Sequence, residues 1–88
     1  MIRNNQFIKR TIGGKDVIIA VGEASKTFNG MISVNATGSF IWDCLAKEIT
    51  MKELVDAMLE RYDVDAATAG QNAAEFIKTL QGVGAVVG

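Results

Sequence analysis

The run Ile32-Ser-Val-Asn-Ala-Thr-Gly-Ser-Phe-Ile-Trp-Asp-Cys-Leu45 joins a short alternating strand directly to an amphipathic helix. Met31 to Val34 reads as extended chain, and Phe40, Ile41, Cys44 and Leu45 recur at helical spacing. Between them Asn35-Ala-Thr-Gly38 forms a polar hinge whose Asn35 can cap the helix N-terminus. Such a junction is a structural device, and it places Trp42 inside a helix whose apolar face must be buried.

On the N-terminal side, Phe7 to Ile12 alternates, with Ile8 and Ile12 on one face and Lys9 and Thr11 on the other, and it stops at Gly13-Gly14. A two-residue glycine turn after an alternating run predicts a hairpin. Its second strand, Val17-Ile-Ile-Ala-Val21, is continuously apolar, as expected of a strand with neighbours on both sides. Gly22 to Lys26 reads as loop, and Asn29-Gly30 supplies a second turn between Thr27-Phe28 and Met31-Ile32. Two turns in series predict a three-stranded antiparallel meander that ends with Met31 to Val34.

On the C-terminal side, Thr50-Met-Lys-Glu53 is a capping box, flanked by an Ile49 to Leu54 hydrophobic staple. Leu54, Val55, Met58, Leu59 and Tyr62 continue that helix at helical spacing. Asp65 is placed to cap a third helix with the stripe Ala69, Ala73, Phe76, Ile77 and Leu80, ended by Gly82 or Gly84. A meander followed by three short helices cannot build two independent cores, so the sheet must pack on the helices. The expected class is α+β, a three-stranded antiparallel sheet on three helices, compatible with a winged helix-turn-helix.

The length of 88 residues allows one small domain, spanning 1–88, which buries roughly 60 to 65% of its unfolded surface. Apolar residues make up 49% of the chain and aromatics only 7%, so the core must be mainly aliphatic. A formal charge of -1, with acids and bases interleaved, presents no polyanion-seeking surface. The single Cys44 excludes an internal disulfide and reads as a buried thiol. With no signal-peptide core, and no apolar run near the ~20 residues of a membrane span, a cytoplasmic protein is expected. Asn35-Ala36-Thr37 fits a glycosylation sequon, which without a secretion signal is an accidental match.

Little in the chain points to catalysis. There is no His, and no nucleophile–base pair or metal-ligand set stands out. Asp63 and Asp65 suit the caps of a tight turn between helices. The glycine-rich tail from Gly82 to Gly88 follows a helix, so no helix N-terminus remains to hold a pyrophosphate. The expectation is a protein that is not an enzyme and holds no cofactor. DNA binding needs a basic helix face, whereas the second helix sets Lys52 and Arg61 against Glu53, Asp56 and Glu60.

Two features invite a ligand. If the meander runs in chain order, Met31, Ile32, Ser33 and Val34 form a sheet edge that lacks the Lys or Pro that discourages pairing. The third helix is rich in small residues, with Ala66, Ala67, Ala69, Gly70, Ala73 and Ala74. These could wall a groove, or they could let helices pack tightly. The edge could take a strand, or it could be covered by a helix, a chain terminus or a second subunit.

The series Val34-Asn35-x-Thr37-Gly38, Ile41-Trp42, Leu45, Thr50, Glu53-Leu54, Leu59, Tyr62-Asp-Val-Asp65, Phe76-Ile77 and Leu80 resembles the PqqD-like family of peptide-binding proteins over nearly the whole chain. Two departures, Ala36 where many relatives are acidic and Ala46-Lys47-Glu48 where they have Asp-Gly, bear on the subfamily and remove no packing residue. The resemblance implies the same winged helix-turn-helix architecture. It also implies capture of a precursor peptide's leader segment against the third strand of the meander, in a cleft walled by the third helix. The implied peptide-binding residues are Met31, Ile32, Ser33, Val34, Gly70, Ala73, Ala74 and Ile77. The implied partners are a ribosomally made precursor peptide and a modifying enzyme, often of the radical S-adenosylmethionine type, with no nucleic acid and no membrane. Pyrroloquinoline quinone synthesis is one such pathway. The protein acts there as a monomer or homodimer; the alternatives are a winged-helix DNA binder and a structural adaptor without peptide specificity.

Overall fold

Gly13 and Gly14 both adopt positive φ, 60° and 79°, the backbone that a two-residue hairpin turn requires at both central positions. In the computed structural model, which describes Met1–Gly88, this turn folds β2 (Phe7–Ile12) against β3 (Lys15–Ala20), with Ile12 opposite Lys15 and Phe7 opposite Ala20. A two-residue strand, β1 (Ile2–Arg3), precedes them. β4 (Met31–Val34) pairs antiparallel with the other side of β3, so the three-stranded sheet has the order β2-β3-β4. The continuously apolar strand is central, and Met31 to Val34 is an edge, as the sequence predicts.

The connection from β3 to β4 is not the second hairpin expected at Asn29-Gly30. The chain instead makes a short 3-10 turn over Gly22–Lys26. The N–H groups of Thr27 and Phe28 both donate to the Ala24 carbonyl, at 3.2 and 2.9 Å. Those donors are therefore spent, and Thr27-Phe28 cannot act as a strand. Phe28 packs its ring against Phe7 instead, 6.1 Å between centroids.

The register also settles which face of the sheet meets the helices. Phe7, Ile18, Ile32 and Val34 lie on the inner face, where Phe7 and Ile18 are buried. Ile8 and Ile12 are on the outer face, and Ile12 is 53% exposed. Lys9 shares the inner face with Phe7 and is accommodated there because its ammonium donates to the Ser39 hydroxyl, at 2.6 Å, and to the Asp43 carboxylate, at 2.8 Å.

Three helices, α1 (Ala36–Cys44), α2 (Met51–Arg61) and α3 (Ala66–Gly82), follow, and their buried residues share one core with Phe7 and Ile18 of the inner face. Their N-termini are capped as the sequence reads: the Asn35 side chain accepts from the Gly38 N–H at 2.8 Å and Asp65 from the Thr68 N–H at 2.7 Å. Thr50 and Glu53 exchange both bonds of the capping box, at 3.1 and 2.9 Å. α3 ends in a Schellman motif, with Gly84 at φ 81°, Gly84 N–H donating to Gln81 and Ala85 N–H donating to Leu80. Leu59 lies outside the buried stripe of α2, which consists of Leu54 and Met58.

The turn after α3 delivers β5 (Val86–Val87) to β1, pairing Ile2 with Val87 and Arg3 with Val86. This ribbon lies outside the expected meander, and strands of two residues carry no periodicity by which to find them. One core cluster of 13 buried residues draws on both layers, with Trp42 at 1% exposure among its largest members. The fold is α+β, a three-stranded antiparallel sheet on three helices. No helix is long and apolar enough to cross a membrane.

Candidate functional site

β4 offers half of its main chain to the outside. A two-residue turn is closed by a hydrogen-bonded pair, here Ile12 and Lys15, so the odd-numbered residues of β3 direct their N–H and C=O toward β2. The bond from Val21 N–H to the Gln6 carbonyl, 2.7 Å, continues that alternation. The even-numbered Asp16 and Ile18 therefore bond to their β4 partners Val34 and Ile32. That leaves the main-chain groups of Met31 and Ser33 pointing off the sheet. Between Ser33 and Val34, the two candidates for an outward donor, the donor is Ser33.

Side chains on β4 alternate the other way. Ile32 and Val34 are half-buried against the core, while Met31, 61% exposed, and Ser33 lie on the outer face. No Lys, Pro or bulge guards the strand, so its edge is a free template.

A groove of about 380 Å³ opens where β4 ends. The start of α1 contributes Asn35, Thr37, Gly38 and Ile41, and α3 contributes Asn72, Glu75, Phe76 and Thr79. The four α3 residues are spaced i, i+3, i+4 and i+7, which is one flank of a helix. At Gly38 the surroundings are tight: a Cβ there would stand 3.3 Å from Val34 Cβ and 3.4 Å from the Phe76 ring of the α3 wall.

Of the eight residues expected to bind peptide, the structure brings Met31, Ile32, Ser33 and Val34 together on the edge strand. It does not bring the α3 set to the same place. Ala73 and Ile77 are buried in the core, so the small-residue stripe serves tight packing there. Ala74 is exposed, and Gly70 has open space around its Cβ position. At 100° per residue, Ala74 stands about 160° around the helix from Phe76, and Gly70 lies on the same far flank. Both face away from the groove. The residues that wall it, Asn72, Glu75 and Thr79, are polar, so a search for small or apolar positions passes over them. Phe76, assigned by spacing to the buried stripe, is half-buried and shared between core and groove.

Electrostatics around the edge are set by hydrogen bonds. The Thr11 hydroxyl donates to Asp16 at 2.7 Å and, with Ser39 nearby, holds that carboxyl below the usual carboxylate range. Burial pushes the half-buried Cys44 thiol up, and the Asp43 charge adds to this, so Cys44 is not an activated nucleophile. On α2, Lys52 is paired with Asp56 at 3.0 Å, which leaves no run of unpaired cations along that helix.

Among curated proteins no relative matches this chain. The solved structure of TbiB1 in complex with the TbiA(beta) leader peptide is similar in fold, with a TM-score of 0.79 over 100% of this chain and 96% of that chain, at 23% identity. The family model described as coenzyme PQQ synthesis protein D (PqqD) matches residues 16–86, which takes in β3 after its first residue, β4, all three helices and the first residue of β5. The chain belongs to the PqqD family.

Proposed function

We propose that the protein captures the leader segment of a ribosomally made precursor peptide by adding it as a strand to the edge of β4, and presents it to a modifying enzyme. The observation that carries this reading is the free main chain of Met31 and Ser33 beside a groove walled by α3. Strand addition draws affinity from main-chain hydrogen bonds and specificity from pockets for alternate side chains, and the edge and the groove are those two parts. Support comes from the fold shared with TbiB1, which was solved with a leader peptide.

The protein binds and does not catalyse; the chemistry belongs to the partner enzyme, of the radical S-adenosylmethionine type. The pairing takes place in the cytoplasm. A neutral, charge-interleaved surface gives the complex little of the steep salt dependence expected of DNA binding.

Proline scanning of β4 tests the reading. Ser33→Pro deletes an outward N–H and is tolerated at an edge, whereas Ile32→Pro deletes a bond to β3. Ser33→Pro should melt within a few degrees of the parent yet lose at least about tenfold in affinity for the leader segment of a precursor encoded beside it. Unchanged affinity in a folded Ser33→Pro protein contradicts strand addition.

A further inference from the structure

The groove beside β4 carries one formal charge, and it is negative. Of its eight lining residues only Glu75 is ionisable, and Glu75 takes part in none of the four ion pairs of the protein. The nearest cation in sequence on α3, Lys78, is not among the lining residues. The apolar part of the lining is the half-buried Phe76 ring, with the buried Ile41 behind it in the core. Asn72 flanks Glu75 one turn earlier with a carbonyl free to accept, and the Thr79 hydroxyl already donates to the Glu75 backbone carbonyl at 3.2 Å.

We infer that the groove selects a peptide with a lysine or arginine at a position that faces inward from the added strand, its aliphatic stem on Phe76 and its charged head at Glu75 and Asn72. This rests on the strand-addition reading above and deepens it. A side chain with an apolar stem and a cationic tip matches a groove whose lining sets an aromatic ring next to a carboxylate on the same helix flank. A guanidinium also gains from the face of the ring.

The start of α1 works against a cation, because the helix dipole places about half a positive charge there. Its Gly38 N–H is already taken by the Asn35 side chain, at 2.8 Å, and the full charge of Glu75 outweighs what remains. The basic head therefore belongs at the α3 wall, away from Thr37. An acidic peptide residue at the α1 start is the opposite outcome, and the same experiment reads it.

The experiment selects a display library of randomised nonapeptides on the full-length parent, on Glu75→Lys and on Ser33→Pro, each shown to be folded by its melting curve. The expected result is enrichment of Lys or Arg at one position on the parent and of Asp or Glu at that position on Glu75→Lys. A selected Lys peptide should lose about tenfold or more in affinity for Glu75→Lys, where like charges meet. It should lose about two- to fivefold for Glu75→Gln, the range of an exposed ion pair. Peptides that need the Ser33 N–H but show no basic preference, or an acidic one on the parent, overturn the inference and leave strand addition standing. Peptides that bind Ser33→Pro as tightly as the parent, or a library from which nothing is enriched, overturn both.

Discussion

The Phe76 ring lies 3.4 Å from the point a Cβ on Gly38 would occupy, so α3 packs against the start of α1 with no room for a side chain larger than a methyl group at residue 38. Val34 Cβ and the capping oxygen of Asn35 stand equally close, at 3.3 and 3.4 Å. A single glycine thus sets the spacing of edge strand, helix cap and groove wall. Gly38→Val should destabilise the protein by about 1–3 kcal/mol through overpacking, and should turn Phe76 into the groove so that peptide capture falls as well. Urea unfolding and peptide titration of the same variant check this. An unchanged midpoint would mean that the walls are not in contact.

Trp42 fills the centre of the core at 1% exposure, with the Arg3 guanidinium 5.5 Å from its ring centroid. Trp42→Ala should cost about 3–5 kcal/mol, the range for deleting a buried aromatic. Chemical denaturation measures it. A variant that melts like the parent but no longer binds peptide would move Trp42 out of the core and into the site.

Acid should loosen the protein through its helix caps. Glu53 is held below the usual carboxylate range mainly because it accepts the Thr50 N–H, Asp65 because it accepts the Thr68 N–H, and Asp16 mainly through the Thr11 hydroxyl. Each folded-state pKa lies below its unfolded value, so the unfolded chain binds more protons in acid. The stabilisation is therefore complete at neutral pH and is lost as pH falls below about 5 toward 3. The double variant Glu53→Gln with Asp65→Asn keeps both caps, since Gln and Asn serve those positions, but removes two titrations. Its urea midpoint should lie somewhat below the parent's at pH 7, since the neutral caps lack the charged form's extra stabilisation, and should fall less between pH 7 and pH 3. An equal fall in both proteins would place the acid sensitivity elsewhere.

The sequence carried the fold further than the site, for physical reasons that differ from residue to residue. Thr50 and Glu53, Asn35, Asp65 and Gly13-Gly14 act through bonds to neighbours a few positions away, so their chemistry is legible locally. The β1–β5 ribbon and the inward Lys9 depend on partners 30 or more residues distant, including Ser39 at 2.6 Å, and no local pattern announces them. Thr27-Phe28 looked like a strand because Asn29-Gly30 is a strong turn signal, but the Ala24 carbonyl claimed its donors first. The edge strand was legible because chain order decides which strand is outermost. The α3 wall was not, because Ala73 and Ile77 are as suited to tight packing as to a groove, and only the helix's rotation decides between them. That rotation presents Glu75 and Phe76 to the groove and turns Gly70 and Ala74 away.

The most direct test of strand addition is amide hydrogen exchange along β4, read residue by residue by NMR with and without a saturating leader peptide. In the free protein the Ile32 and Val34 amides, bonded to β3, should exchange slowly, and the Met31 and Ser33 amides, pointed off the sheet, should exchange fast. With peptide bound, protection should appear at Ser33 and Met31 and change little at Ile32 and Val34. A peptide that binds tightly while the Ser33 amide still exchanges at its free rate would contradict the account.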